Sequence, residues 1–344
     1  MLGSYAEQVA QEGPEAFALM EHVGIPASAL ADPDMLISWS AVGNLMEALA
    51  ARLHKPCLGL EWASAPADPF LNFGPLALLA QFPGTLGAWC SALRDYWRYH
   101  TNALRVELLE PPSGEDVVLR FTTDEMVPPS RHQIEFTIGG TCRMVRALAD
   151  FADSDFTLVR FQHLEPPDKS CHARLFRCPV EFGAPHNEFV FRRALHDLKI
   201  HPPAGHLERY IAARSGTVPG FDGSTRARVE ATVPCFVGTR YCTLAHVAAL
   251  FSMGPKKLQR ALARQGTNFA EVVDQARERV ARRLLVETDV PVTSIAGLLG
   301  YATTPPFTVA FRRWAGVSPR EYRKARAWSD PSCASVPSAE RAEA

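Results

Sequence analysis

The stretch that decides the fold of the C-terminal part runs from Leu244 to Trp314, where one pattern occurs twice. The first copy reads LAHVAALFSMGPKKLQRALAR over residues 244–264, and the second reads VTSIAGLLGYATTPPFTVAFRRW over residues 292–314. Each copy has a short helix with apolar periodicity, a tight turn and a second helix. This order predicts two helix-turn-helix units, the motif that places its second helix in the major groove of DNA.

The second helix of each copy is amphipathic. Leu258 and Leu262 mark the inward face in the first copy, and Phe307 and Phe311 mark it in the second. The dipeptide Gly254–Pro255 predicts where the first of these helices begins, since glycine is accepted at the N-cap and proline is favoured at the first helical position. The polar residues between the apolar ones are therefore left on the outside.

The outward side chains of the first recognition helix are the expected DNA contacts. Glutamine and arginine read base edges with paired hydrogen bonds, so Gln259 and Arg260 are the expected specificity residues. Lysine near a helix start suits phosphate contacts, which position a protein without reading sequence. The predicted DNA-binding residues of the first unit are Lys256, Lys257, Gln259, Arg260 and Arg264.

The charge distribution indicates a polyanion as the partner of this region. The whole chain has a formal net charge of -1, yet residues 239–326 hold 15 Lys and Arg against 6 Asp and Glu. One basic module in a nearly neutral protein is typical of nucleic-acid binding. A solvated basic face on an ordinary helical domain would carry the same charge, and the paired helix-turn-helix pattern favours DNA.

The remaining composition predicts an ordinary two-domain cytoplasmic protein. With 344 residues, 47% of them hydrophobic and 21% charged, the chain can bury two cores. The longest apolar runs fall short of the roughly 18 residues that span a bilayer. Residues 1–10 lack the basic region and long apolar core of an export signal, so no membrane association is expected.

Residues 1–212 are predicted to form one α+β domain. Helices are expected from Ser40 to Leu53, from Thr85 onward, and from Arg143 to Phe151 across a sheet. Short, partly alternating segments predict a small, mainly antiparallel sheet. The predicted strands are Leu104–Leu109, Val117–Thr122, Gln133–Ile138, Leu158–His163 and Glu188–Phe191.

Glycine, proline and the end of the apolar periodicity define the remaining boundaries. Residues 213–238 are rich in Gly and Pro and predict a linker. Residues 239–326 are predicted to be an all-α DNA-binding domain with two helix-turn-helix subdomains. Within it, Phe269–Val286 predicts an amphipathic helix long enough to hold the recognition helices one turn of DNA apart. Residues 327–344 predict a disordered tail.

Metal, cofactor and enzyme chemistry are not expected. The eight cysteines include no Cys-x-x-Cys pair, so we expect them to be reduced. A metal site on Cys171, His172 and Cys178, or on Cys235 and Cys242, would have an uncommon zinc spacing. No nucleophile elbow, phosphate loop or His-Glu-x-x-His helix is present. Four clustered polar residues are expected to be surface charges: Asp153, Asp155, His163 and Glu165.

A run of motifs extends through the basic module. It comprises Pro255–Arg260, Gly266–Phe269, Ala281–Leu285, Ile295–Tyr301, Ala310–Trp314 and Gly316–Arg323. These motifs resemble the signature of the AraC/XylS family of bacterial transcription regulators. The resemblance covers about 85 residues without a gap and implies a seven-helix, two-subdomain DNA-binding fold. RNA polymerase is a further partner that it implies.

The second recognition helix departs from the family pattern. The family usually has a polar residue and an arginine where this chain has Pro305 and Val309. Proline donates no backbone hydrogen bond, and valine contacts a thymine methyl but neither phosphate nor guanine. The second unit is therefore expected to add less specificity. Its predicted DNA-binding residues are Thr304, Thr308, Val309 and Arg312.

Weaker motifs lie in the N-terminal region. Gly74–Leu76, Thr85–Gly87, Cys178–Ala184 and Asn187–Phe191 resemble the "arabinose-binding" type N-terminal domain of one AraC-like subgroup. The resemblance implies a small-molecule effector, a homodimer and control of a catabolic operon. The alternatives are an orphan regulator whose N-terminal domain only oligomerises or binds a protein, and an enzyme with a DNA-binding appendage. Five aromatic residues are candidates for a cavity, a core or a dimer face: Trp62, Phe70, Phe73, Phe82 and Trp89.

Overall fold

The structure, a computed structural model, describes residues 6–327 except 31, 33–34, 66–68, 71–72, 74–75, 77, 80–81, 111–113, 150–151, 153–154 and 202–203. The chain divides into two compact units, Met1–Gly223 and Ser224–Ala344, called here the N-terminal unit and the C-terminal unit. Residues 328–344 of the predicted tail lie outside the described residues.

The N-terminal unit begins with five helices, and two of them start at a capping hydroxyl side chain. The Thr85 side chain accepts a hydrogen bond from the Ala88 amide, as predicted. Ser38 performs the same role for the earlier helix, so that helix begins before the predicted N-cap, Ser40. The helices are α1 (Ala6–Gln11), α2 (Pro14–His22), α3 (Trp39–Arg52), α4 (Leu58–Ser64) and α5 (Leu86–Tyr96).

A five-stranded sheet follows, in the order β1-β2-β5-β3-β4. Every neighbouring pair is antiparallel except β3 with β4, which confirms the α+β class and the mainly antiparallel sheet. On β2, Val117, Leu119 and Phe121 point inward to the core at alternate positions. The strands are β1 (Leu104–Leu109), β2 (Asp116–Thr123), β3 (Phe156–Arg160), β4 (Val180–Glu181) and β5 (Asn187–Arg192).

The strand predicted over Gln133–Ile138 was wrong. These residues belong to helix α6 (Arg131–Leu148), which also contains the first residues of the helix predicted from Arg143. Because α6 packs against α3, α4, α7 (Ser170–Phe176) and β5, nearly all of its residues are buried, including the polar Gln133, Glu135 and Thr137. The helical period is therefore hidden in the sequence.

Helices α4 and α6 approach unusually closely at Gly59. A Cβ atom added at Gly59 would lie 2.2 Å from the carbonyl oxygen of His132, so only glycine fits there. Next to this contact, a disulfide joins Cys57 to Cys171 on α7. The expectation that all cysteines are reduced was wrong for this pair.

The linker predicted over residues 213–238 also differs from the structure. Helix α8 (His206–Arg214) runs into its start, and α9 (Thr225–Thr232) lies within it. Val229 and Phe236 are fully buried. Since α9 packs against α11 (Pro255–Arg264) and α12 (Phe269–Glu287), the second half of the segment is part of the C-terminal unit. Its few apolar residues give α9 little amphipathic signal.

The C-terminal unit is helical, as predicted. Helix α12 is its central element and contacts α9, α13, α14 and α15. Its start has a capping box, in which Asn268 accepts from the Glu271 amide and Glu271 accepts from the Asn268 amide. The other helices are α10 (Leu244–Leu250), α13 (Val292–Leu298), α14 (Thr304–Ala315) and α15 (Pro319–Ala327).

Candidate nucleic-acid interface

Two helix-turn-helix units, α10–α11 and α13–α14, are built around matching turns. In the first, Ser252 has a φ of 52° and the Met253 amide bonds to the Ala248 carbonyl at 2.8 Å. In the second, Gly300 has a φ of 82° and the Tyr301 amide bonds to the Ala296 carbonyl at 2.9 Å. Both turns therefore end the preceding helix with a left-handed residue and a long backward hydrogen bond.

Helix α11 separates an apolar face from a cationic one. Leu258 and Leu262 are fully buried, which confirms the predicted inward face. Gly254 is the N-cap and Pro255 the first helical residue, also as predicted. The five residues predicted to contact DNA are all exposed: Lys256, Lys257, Gln259, Arg260 and Arg264.

The exposed face of α11 has a strong positive potential. Its ten residues include four cations and no carboxylate. In the part of the chain that the structure describes, none of these four cations forms an ion pair. Among the described residues, the Arg260 guanidinium makes one long hydrogen bond, 3.4 Å from its Nε to the Lys256 carbonyl oxygen. The face therefore remains available to an external anion.

Helix α14 has the same apolar anchoring and a different outer face. Phe307 and Phe311 are fully buried. The Thr308 hydroxyl donates to the Thr304 carbonyl at 3.1 Å, so part of its hydrogen-bonding capacity is used within the helix. Val309 is 69% exposed, a high value for an apolar side chain. Arg312 is exposed.

The first turn of α14 offers fewer donors than that of α11. Pro305 and Pro306 both lie in it and have no amide hydrogen. The N-cap, Thr303, forms no side-chain hydrogen bond to the helix. Because free amides at a helix start are the groups that bind phosphate, this end of α14 is a weaker anion site than an ordinary helix start.

Most arginines of α12 hold the C-terminal unit together. Arg277 donates to the Leu299 carbonyl and lies over the Tyr301 ring. Arg282 bonds to Glu278, the Tyr322 hydroxyl and the Trp314 carbonyl, while Arg283 pairs with Glu287. Arg279 is exposed. Three of these four arginines therefore make contacts within the C-terminal unit.

Sequence reasoning missed one polar cluster in the N-terminal unit. Glu135, His163 and His172 come from α6, the segment after β3, and α7, and each offers a ligand atom within 4.8 Å of the others. His163, expected to be a surface residue, is partly buried. Because the three residues are far apart in sequence, no local motif indicates them.

The fold and the cationic α11 face define a DNA-binding protein of the double helix-turn-helix class. Residues 13–200 match the family model described as "Arabinose-binding domain of AraC transcription regulator, N-term". Residues 247–325 match the model described as "Helix-turn-helix domain". The chain belongs to the AraC family of transcription regulators, which confirms the resemblance noted from its motifs.

Relatives of similar length match nearly the whole chain. The chain is 25% identical to the transcriptional regulator VirS of Mycobacterium tuberculosis over 326 residues, 94% of each chain. It is also 25% identical to the ornithine utilization regulator of Pseudomonas aeruginosa, over 94% of this chain and 96% of that one. The crystal structure of the Pseudomonas aeruginosa regulator CdpR matches 89% of this chain and 97% of its own, with 22% identity and a TM-score of 0.38.

No described helix combines the length and apolar character needed to cross a membrane.

Proposed function

We propose that this regulator reads DNA mainly through α11 and uses α14 mainly for positioning. The observation that carries the proposal is the exposed face of α11, where Gln259 and Arg260 stand among cations above a fully buried Leu258–Leu262 pair. Arginine and glutamine discriminate bases, whereas the outward groups of α14 include two threonines, a valine and two arginines, of which Arg313 is paired with Asp274. Base specificity therefore concentrates in the first unit.

The length of α12 supports simultaneous binding by both units. Its 19 residues extend about 28 Å at 1.5 Å per residue. Recognition helices that occupy successive major grooves on one face of a duplex are about 34 Å apart. Because α11 leads into the start of α12 through residues 265–268 and α14 contacts α12, the proposal is that both recognition helices enter neighbouring grooves.

We also propose that the N-terminal unit senses a small-molecule effector in the cytoplasm and pairs two chains at a catabolic operon, where the dimer contacts RNA polymerase. The match over residues 13–200 supports a sensing role. An effector that binds one conformation of the protein better than another increases the population of that conformation. This shift is sufficient to change how the protein binds DNA.

A second candidate is an N-terminal unit that only oligomerises. Trp62, Phe70, Phe73 and Trp89 are buried in the core, so these aromatic side chains do not line an open ligand pocket. Thermal unfolding against a metabolite library, combined with size measurements, separates the candidates. Ligand-dependent stabilisation supports sensing, while a dimer that no metabolite stabilises supports oligomerisation alone.

The DNA-reading proposal is tested with full-length protein on duplexes chosen from a random pool. We expect loss of discrimination at one base position in Arg260→Ala and little loss in Arg312→Ala. Equal losses of discrimination in the two variants would contradict the unequal division between α11 and α14.

A further inference from the structure

The N-terminal unit gathers imidazole rings around one buried carboxylate. Glu135 is fully buried on α6. Its Oε1 lies 2.8 Å from the Nε2 of His172 on α7 and 3.4 Å from the Nε2 of His163. Ligand atoms that share a zinc ion at about 2.0–2.2 Å are themselves roughly 3–4 Å apart. These two separations are therefore close to a metal-ligand spacing, and all three ligand atoms lie within 4.8 Å of one another.

The hydrogen bond of His163 fixes which ring nitrogen faces the cluster as an acceptor. Its Nδ1 lies 3.0 Å from the Leu164 carbonyl oxygen, which only accepts, so Nδ1 carries the hydrogen. Its Nε2 then presents a lone pair to the Glu135 carboxylate, and it has no hydrogen-bond partner among the described residues.

An imidazole oriented in this way is typical of a metal ligand. In metal sites, the ring nitrogen away from the metal usually donates to a backbone carbonyl or a carboxylate, which fixes the tautomer. His163 already makes such a bond to Leu164. A cation between its Nε2 and the carboxylate would replace the repulsion of two facing lone pairs with two favourable contacts.

The second carboxylate oxygen of Glu135 would also gain a favourable contact from a bound cation. Its Oε2 is buried without a hydrogen-bond partner in the described part of the chain. The Nδ1 of His132 lies 3.6 Å away, but that nitrogen accepts the Gly59 amide hydrogen and offers none. A buried acceptor left unpaired costs about 1–3 kcal/mol, and a bound cation removes that cost.

Arg131 balances the charge of Glu135 but bonds to only one of its two carboxylate oxygens. Its Nε donates to Glu135 Oε1 at 2.8 Å, and its NH2 group donates to the Pro56 carbonyl. It therefore leaves Oε2 unpaired. Zinc sites made of three neutral histidines hold the ion with no protein anion at all, so a neutralised carboxylate is compatible with binding.

Aromatic rings hold the two histidines in place. The Phe161 ring centroid lies 4.8 Å from that of His163 and 5.8 Å from that of His172, and Phe182 packs against both. The His163 side chain keeps 16% of its surface exposed, which gives an ion a route to the cluster. These aromatic contacts therefore orient the two histidine ligands before an ion binds.

From this geometry we propose that the N-terminal unit binds one divalent transition-metal ion of the zinc class between Glu135, His163 and His172. Two imidazole nitrogens and one carboxylate oxygen are ligands that such ions favour, and they leave a fourth position for water or another ligand. The ion would join α6, the segment after β3, and α7. The proposal does not depend on how the C-terminal unit reads DNA.

The test uses full-length, disulfide-intact protein stripped with a chelator and titrated with Zn²⁺ alone. We expect one bound ion per chain, with a rise in the midpoint of thermal unfolding. His163→Ala and His172→Ala should each weaken Zn²⁺ binding about tenfold or more. His186→Ala is the matched control, because His186 is an exposed histidine of the same unit, and its affinity should equal that of the unaltered chain.

Folding defects are separated from loss of ligands by a second variant and a second probe. His163→Gln changes the most accessible of the three side chains, and circular dichroism checks its fold. Co²⁺ should give an intense visible absorption in the unaltered chain and in His186→Ala, but not in His163→Gln. Absence of Zn²⁺ binding in the unaltered chain, or equal binding in a folded His163→Gln, would overturn the proposal.

Discussion

The two helix-turn-helix units share a scaffold and differ in their outer chemistry. Each has a left-handed turn residue, a backward hydrogen bond and a fully buried pair of apolar residues one helical turn apart. Outside that frame, α11 carries four cations and a glutamine, whereas α14 begins with two prolines in its first turn and exposes Val309. The comparison shows that the turns and the buried pairs are shared by the two units, while the exposed positions differ between them.

The largest effect is expected from substitutions that remove the buried apolar residues shared by the two units. Phe311→Ala removes a fully buried ring that contacts Phe307, Trp314 and Tyr322, and should lower the free energy of unfolding of this subdomain by about 3–5 kcal/mol. Leu262→Ala is the matched change in the first unit, with about 2–5 kcal/mol expected. Denaturant unfolding of the full chain measures both, and losses below about 1 kcal/mol would show that these residues are not the anchors.

The next effect concerns base reading by α11. Arg260→Ala should weaken specific binding by about 1–3 kcal/mol and relax the preference at one base pair. Arg312→Ala is the counterpart on α14 and should weaken binding without changing the preferred sequence. Affinities for the selected duplex and its single-base variants distinguish the two, and an unchanged preference in Arg260→Ala would refute its assigned role.

A smaller and uniform effect is expected at Lys256. As a phosphate contact near the start of α11, its replacement by alanine should weaken binding to all duplexes alike. The slope of the logarithm of affinity against the logarithm of salt concentration should become shallower by about 0.9. Titrations at several salt concentrations give that slope, and a loss confined to one sequence would mean that Lys256 reads a base.

The smallest effect is expected at Val309. Because this side chain is mostly exposed, Val309→Ala should change stability by no more than about 0.5 kcal/mol. A thymine methyl contact would make its effect on binding depend on one base pair, so duplexes with thymine or uracil at each position provide the measurement. At each position, the affinity for the thymine duplex is divided by that for the uracil duplex. If this ratio is the same for the unaltered chain and for Val309→Ala at every position, the contact is excluded.

The sequence was sufficient where a helix has one buried face and a recognisable cap. The Leu258–Leu262 and Phe307–Phe311 pairs stand at helical spacing, and Gly254, Pro255 and Thr85 mark helix starts. Their interpretation needs only local geometry, because periodicity and capping act within one or two turns.

The sequence was insufficient for a helix that is buried on nearly all sides, and for contacts between residues that are far apart in the chain. Helix α6 is buried on nearly every side and buries Gln133, Glu135 and Thr137 between apolar residues, so its Gln133–Ile138 segment alternates like a strand. Ser130 does cap it, and this was the available local signal. The Glu135, His163 and His172 cluster and the Cys57–Cys171 disulfide depend on tertiary packing, which local patterns do not encode.

The most direct test of unequal reading is the selection of duplexes from a random pool by the full-length protein. The account predicts two blocks of preferred bases about 10–10.5 base pairs apart, one strongly constrained and one weakly constrained. In Arg260→Ala, the strong block should lose one position while the weak block stays unchanged. Two equally constrained blocks, or no preference among duplexes at moderate salt, would contradict it.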